Sequence, residues 1–143
     1  MKTFIKINAV SIFYAILLFV PFILMINVYR ISRLTGMDIE LVNLFITGTL
    51  VLAIIAGTFC MMNLRKIRLS GSKANYFTAI LWIPYFFVFM YTFANALPIT
   101  YGGDKPNPVT GLFLMGSFII YPIYILVFQS IATNFKDKFF ITE

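Results

Sequence analysis

Apolar residues are arranged along the chain in four long runs, separated by shorter polar segments. The runs cover about residues 7–29, 41–64, 76–99 and 111–133, and none contains Asp, Glu, Lys or Arg. Each run is close to the roughly 20 residues that a helix needs to cross a bilayer. Because the lipid interior offers a strand no hydrogen-bond partners, the pattern predicts four transmembrane helices.

The segments between the runs are about a dozen residues long, and short connections favour antiparallel neighbouring helices. The sequence therefore predicts an all-α integral membrane protein, with the four helices forming an antiparallel bundle in one domain over residues 1–143. The first run is longer than the apolar core of a signal peptide, and no small-x-small cleavage site follows it. We expect it to be retained as a helix.

Composition supports a membrane location for this bundle. Hydrophobic residues make up 61% of the chain and charged residues 11%, whereas soluble domains carry about 25% charged residues. The net charge of +6 comes from residues outside the apolar runs. There, Lys and Arg meet lipid headgroups and determine orientation, so we expect no nucleic-acid partner.

The distribution of basic residues predicts the orientation of the bundle. One side holds Lys2, Lys6, Lys136, Lys138 and the basic loop formed by Arg65, Lys66, Arg68 and Lys73. The other side holds only Arg30, Arg33 and Lys105. Both termini and the basic loop are therefore expected to be cytoplasmic. The many Phe, Ile, Lys and Asn residues suggest an AT-rich bacterial genome, and hence a bacterial plasma membrane.

Three prolines lie well inside the predicted helices, at Pro21, Pro84 and Pro122. Each removes one backbone hydrogen bond and crowds the carbonyl four residues earlier, which predicts a kink. Kinks at one level of a bundle can act as hinges, as they do in transporters. A static kink is the favoured alternative, because membrane helices tolerate proline.

The second helix carries small residues at every fourth position, namely Thr49, Ala53 and Gly57. Such a stripe lets another helix approach closely. Packing within the bundle is the favoured interpretation, and contact with a second copy or with a partner protein is the alternative.

Uncharged polar residues of all four helices fall in the half predicted to face outward. They are Asn27, Asn43, Thr47, Thr92, Asn95 and Ser117. These side chains either line an outward-facing polar pocket or form hydrogen bonds between helices, which are worth about 0.6 kcal/mol each.

Groups that usually carry catalysis or bind cofactors are scarce in this chain. It has no histidine, one cysteine (Cys60) and no carboxylate within the apolar runs. The usual general base and the usual haem and zinc ligands are therefore missing. Cys60, Met61 and Met62 offer sulfur for copper(I), but adjacent helical residues point in different directions. We expect no metal site, no cofactor and no enzymatic activity.

The sequence is typical of a non-enzymatic multi-pass protein that acts by protein–protein interaction in the bilayer. It would be an accessory subunit of a membrane complex, or an immunity protein that protects against a membrane-active toxin. Its partners would be lipid and either another membrane protein or further copies of itself. The alternative is a small dimeric transporter or lipid flippase that uses the outward polar pocket.

Overall fold

The computed structural model describes residues 2–64 and 77–139, and the regular structure in these residues is entirely helical. Helix α1 covers Lys2–Ile26, α2 Val28–Thr35, α3 Ile39–Leu64, α4 Thr78–Ala96 and α5 Pro108–Phe139, with a 3-10 turn at Gly102–Asp104. The expected all-helical class with four long apolar helices is confirmed. The basic loop with Arg65, Lys66, Arg68 and Lys73 lies outside the described residues.

Among the residues that the structure describes, four segments are long and apolar enough to cross a membrane. They are Phe4–Ile26, Ile39–Cys60, Thr78–Ala96 and Gly102–Phe128. Local sequence signals explain where the last helix begins. Pro108 occupies its first position, where a missing N–H costs nothing, and the Asn107 side chain accepts a hydrogen bond from the Val109 N–H at 3.0 Å.

The first apolar helix ends at Ile26, and after Asn27 a short amphipathic helix follows where a simple connection was expected. The Asn27 backbone (φ −99°, ψ 15°) leaves helical geometry, and its side-chain amide donates to the Ile23 carbonyl at 2.8 Å. Helix α2 then continues to Thr35 and stops at Gly36, whose φ of 71° is easily adopted by glycine. The apolar face of α2 packs against the start of α3, because Val28 joins Val42 and Ile46 in a small buried cluster.

Helix α1 lies at the centre of the bundle. Of its most apolar stretch, 28% is buried inside the protein, compared with 11% for α3 and 6% for the segment Gly102–Phe128, which includes the first two-thirds of α5. Its most extensive packing is with α4, the third long helix, and not with a helix adjacent in sequence. The rings of Phe19 and Phe89 lie 5.7 Å apart in this contact. Helices α1 and α4 run in one direction, and α3 and α5 run in the other.

Aromatic side chains join α4 to α5. Trp82 is fully buried; its ring stacks on Phe118 at 5.4 Å and meets the edge of Tyr121 at 5.0 Å. Aromatic side chains of these two helices therefore pack against each other, which contributes about 0.5–1.5 kcal/mol per ring pair beyond the area buried.

The three prolines lie within continuous helices. Pro21 is buried in α1, Pro84 is exposed on α4 and Pro122 is half-buried in α5. Helical structure persists on both sides of each ring. Hinge motion at these positions stays a prediction.

Candidate functional site

An apolar cleft of about 320 Å³ lies between α1, α3 and α5. It is partly open, and each of the three helices contributes to its wall. The lining residues are Leu17, Leu18, Leu50, Ala53, Ile54, Gly57, Phe113, Gly116, Ser117, Ile120, Tyr121 and Tyr124.

Small residues on α3 and α5 create the space in this cleft. Gly57 allows α1 to approach so closely that an added Cβ would lie 2.9 Å from the Leu17 Cδ1 atom. On the α5 wall, a Cβ added at Gly116 would meet no atom within 4 Å. Within the stripe Thr49, Ala53 and Gly57, glycine therefore serves the contact with α1, and Ala53 lines the open space.

The three hydroxyl groups in the cleft wall are already hydrogen bonded. Ser117 donates to the Phe113 carbonyl and Tyr121 to the Tyr14 carbonyl, each at 2.8 Å. The Tyr124 and Thr58 hydroxyls share a hydrogen bond of 2.8 Å. With these groups satisfied, the wall offers an occupant mainly apolar contact.

Five of the six polar residues predicted to form a layer lie outside this cleft, and only Ser117 lines it. Asn27 is buried at the end of α1, whereas Asn43, Thr47, Thr92 and Asn95 are exposed. Most of these side chains donate to the carbonyl four residues earlier in their own helix, at 2.8–2.9 Å. The structure therefore does not gather the six residues around this cavity.

Hydrogen bonds between helices occur instead in the half of the bundle where α1 begins. Tyr85 donates to the Asn8 side chain and joins α4 to α1, and Tyr121 joins α5 to α1. The Tyr124–Thr58 bond joins α5 to α3. These three tyrosines were not among the candidate site residues that the sequence pattern singled out. Their position in mid-helix, away from the interfaces that tyrosine prefers, was the available signal.

An ion pair lies at the opposite end of the bundle, where α1 ends. Arg33 on α2 donates to both carboxylate oxygens of Asp104, at 2.9 and 2.7 Å, and its guanidinium lies 5.0 Å from the centre of the Tyr101 ring. Arg30 donates to the Leu97 carbonyl at 3.0 Å. Hydrogen bonding to Arg33 holds the pKa of the Asp104 carboxyl below its usual range and raises the pKa of Arg33. The first and last connections are thereby held together.

Comparison with known proteins found no relative of this chain. No protein-family model matches the chain, and the searches of curated proteins and of solved structures gave no match.

Proposed function

We propose that the protein is a multi-pass component of a bacterial plasma membrane, with both termini cytoplasmic. It acts without catalysis, by binding another membrane protein within the bilayer. The protein would be either an accessory subunit of a membrane complex or an immunity protein that protects against a membrane-active toxin.

The observation that carries the proposal is the exposed surface of α5. This helix is 32 residues long, yet only 6% of the most apolar stretch in its segment is buried in the protein. Leu112, Met115, Ile119 and Ile123 recur at helical spacing and are all strongly exposed. A stripe of this kind gives a partner helix a continuous apolar surface.

The use of the polar side chains also supports a role in binding. Many hydroxyl and amide groups on the described helices donate to their own helix, and the Tyr121 hydroxyl donates to a neighbouring one. Groups that are engaged in this way stabilise the bundle and are poorly placed to move protons or ions. Contact through apolar surface is the activity that this arrangement favours.

The cleft between α3 and α5 favours a second candidate, a small dimeric transporter or lipid flippase. A partly open apolar cleft is a site that a lipid chain can enter. Under this alternative, Ser117 is the one residue of the expected polar pocket that would contact the cargo, because the other five lie outside the cleft.

Gentle extraction from the native membrane, followed by mass spectrometry, tests the leading proposal. We expect a second polypeptide in stoichiometric amount. Ile119→Trp on α5 should reduce its recovery several-fold, because the larger ring disturbs the exposed stripe.

Ile80→Trp on α4 is the matched control, since Ile119 and Ile80 are 68% and 67% exposed. This variant should retain the partner. Recovery of the protein alone from every extraction would contradict the proposal, and so would equal loss of the partner in both variants.

A further inference from the structure

We propose that the cleft between α1, α3 and α5 holds one acyl chain of a membrane lipid. The inference rests on the membrane location proposed above, but not on the presence of a protein partner. It assigns an occupant to a cavity that the packing of the helices leaves open.

The chemistry of the wall selects an apolar occupant. Leucine, isoleucine, alanine and glycine supply the surfaces of α1 and α3, and the hydroxyls of Ser117, Tyr121 and Tyr124 are engaged inside the protein. A polar ligand would lose its hydration and gain few hydrogen bonds, which is unfavourable for an amide or hydroxyl. Water is disfavoured for the same reason, since buried water needs two to four polar partners.

The narrow shape of the cleft favours a hydrocarbon chain as its occupant over a protein helix. On α5 the lining runs from Phe113 to Tyr124, which is about 16 Å along a helix that rises 1.5 Å per residue. The cleft volume of about 320 Å³ is spread along this length, so the cleft is narrow compared with a helix 10–12 Å in diameter. A hydrocarbon chain fits these dimensions, and a bilayer supplies such chains in excess.

The two ends of the cleft differ in a way that suits a lipid. The Tyr124–Thr58 hydrogen bond joins α5 to α3 at one end. Toward the other end, the wall continues through Ser117 to Phe113 and toward the side of the bundle that carries Arg33 and Asp104. The chain terminus would therefore lie near Tyr124, and the headgroup would lie toward the charged end.

Fluorescence of Trp82, the one tryptophan in the sequence, reports on this occupant. Its side chain is fully buried, and its ring lies 5.0 Å from the ring of Tyr121, which lines the cleft. We would reconstitute the purified protein in vesicles of phosphatidylcholine with brominated acyl chains, because bromine quenches tryptophan at short range. The fluorescence of Trp82 should be quenched more strongly than that of a tryptophan that is buried in protein and shielded from lipid.

Two glycine substitutions on the same helix provide the variant and its control. Gly116→Leu places a side chain in the cleft, and Gly111→Leu places the same side chain on an exposed surface outside it; an added Cβ meets nothing within 4 Å at either position. We expect Gly116→Leu to lower the excess quenching at least twofold and Gly111→Leu to leave it unchanged. Circular dichroism confirms that both variants are folded.

Native mass spectrometry of the same samples gives an independent result. Wild type and Gly111→Leu should each retain one phosphatidylcholine molecule, and Gly116→Leu should retain none. Equal quenching in the three proteins, or a lipid retained equally by Gly116→Leu, would overturn the inference. Neither outcome bears on the proposed partner, since the assay contains only this chain and lipid.

Discussion

Arg33 and Asp104 lie 71 positions apart in the sequence and form a two-point hydrogen-bonded ion pair in the structure. The Asp104 side chain is 4% exposed, whereas that of Arg33 is 46% exposed. A carboxylate with so little access to water depends on its partner, because an unpaired charge in such a place is costly. The planar guanidinium suits this role, since it matches both carboxylate oxygens at once.

Replacing Asp104 by Asn should therefore lower the thermal-denaturation temperature of the detergent-solubilised protein. The variant leaves Arg33 without its charged partner and loosens the contact between α2 and the last connection. Asp38→Asn makes the same chemical change at an exposed position and serves as the control. Equal denaturation temperatures for wild type and Asp104→Asn would show that the pair does not contribute.

The same pair predicts a dependence of stability on pH. The pKa of Asp104 is lowered by Arg33 in the folded protein, so its stabilising contribution is present above the unfolded value of about 3.8. It is lost as the pH falls through the lower, folded value. The difference in denaturation temperature between wild type and Asp104→Asn should be constant from about pH 7 to pH 5 and disappear only below about pH 4. A difference that changes near neutral pH would point to another group.

Gly57 is a residue of α3 that packs closely against α1. A Cβ here would lie 2.9 Å from the end of the Leu17 side chain, which can move by rotating. Gly57→Ala should therefore change stability little, whereas Gly57→Leu overfills the contact and should cost about 1–3 kcal/mol. Gly48→Leu on the same helix is the control, because an added Cβ there meets nothing within 4 Å. Denaturant titration in detergent measures the difference, and equal stability of the two leucine variants would refute close packing at Gly57.

At the scale of whole elements, hydrogen bonds between helices define how the bundle is assembled. The contact of α3 with α5 is sparse, and the Thr58–Tyr124 bond lies within it. Thr58 also bonds to the Ile54 carbonyl of its own helix at 2.8 Å, so its hydroxyl serves both helices. Removal of the Tyr124 hydroxyl should weaken the contact between α3 and α5. The Thr58 hydroxyl would keep its hydrogen bond to the Ile54 carbonyl, so it would not be left unsatisfied.

A double-mutant cycle with Thr58→Val and Tyr124→Phe measures this contact. We expect a coupling free energy of about 0.6 kcal/mol, the average for hydrogen bonds between membrane helices, with an upper limit near 1.7 kcal/mol. Thr92→Val with Tyr124→Phe is the control cycle, because Thr92 is exposed on α4 and bonds to its own helix. A coupling of zero in the Thr58 cycle would show that the two hydroxyls do not interact.

At the scale of the whole molecule, the charge distribution supports one orientation. Eight Lys and Arg residues lie in the segments assigned to the cytoplasmic side and three lie on the other side. One of those three, Arg33, is paired with Asp104. The excess of Lys and Arg, counted without regard to acidic partners, favours cytoplasmic termini.

Thiol labelling in intact cells tests this orientation. In a Cys60→Ser background, Thr100→Cys should react with a membrane-impermeant maleimide, because Thr100 is exposed in the connection before α5. Ser72→Cys, in the basic loop, should react only after the membrane is permeabilised. The reverse pattern would show that the termini face outward.

The polar groups show that the sequence pattern predicts the depth of a side chain along its helix but not the direction in which it faces. Asn43, Thr47, Thr92 and Asn95 share a depth with Ser117 in the sequence pattern, but the structure turns the first four outward. Depth follows from counting residues along a helix, whereas the facing direction depends on how each helix is rotated against its neighbours. Nearly every face of these helices is apolar, so the pattern of hydrophobic residues carries little information about that rotation.

The sequence by itself determined the helical class and the four long apolar helices, because these depend on local composition and on the hydrogen-bonding needs of the backbone. Only the tertiary structure decided that α1 is central, that α2 forms and that tyrosines join the helices. Contacts such as Thr58–Tyr124 and Tyr121–Tyr14 connect residues 66 and 107 positions apart. The cleft arises in the same way, because its volume is the space that three distant segments leave unfilled when they pack.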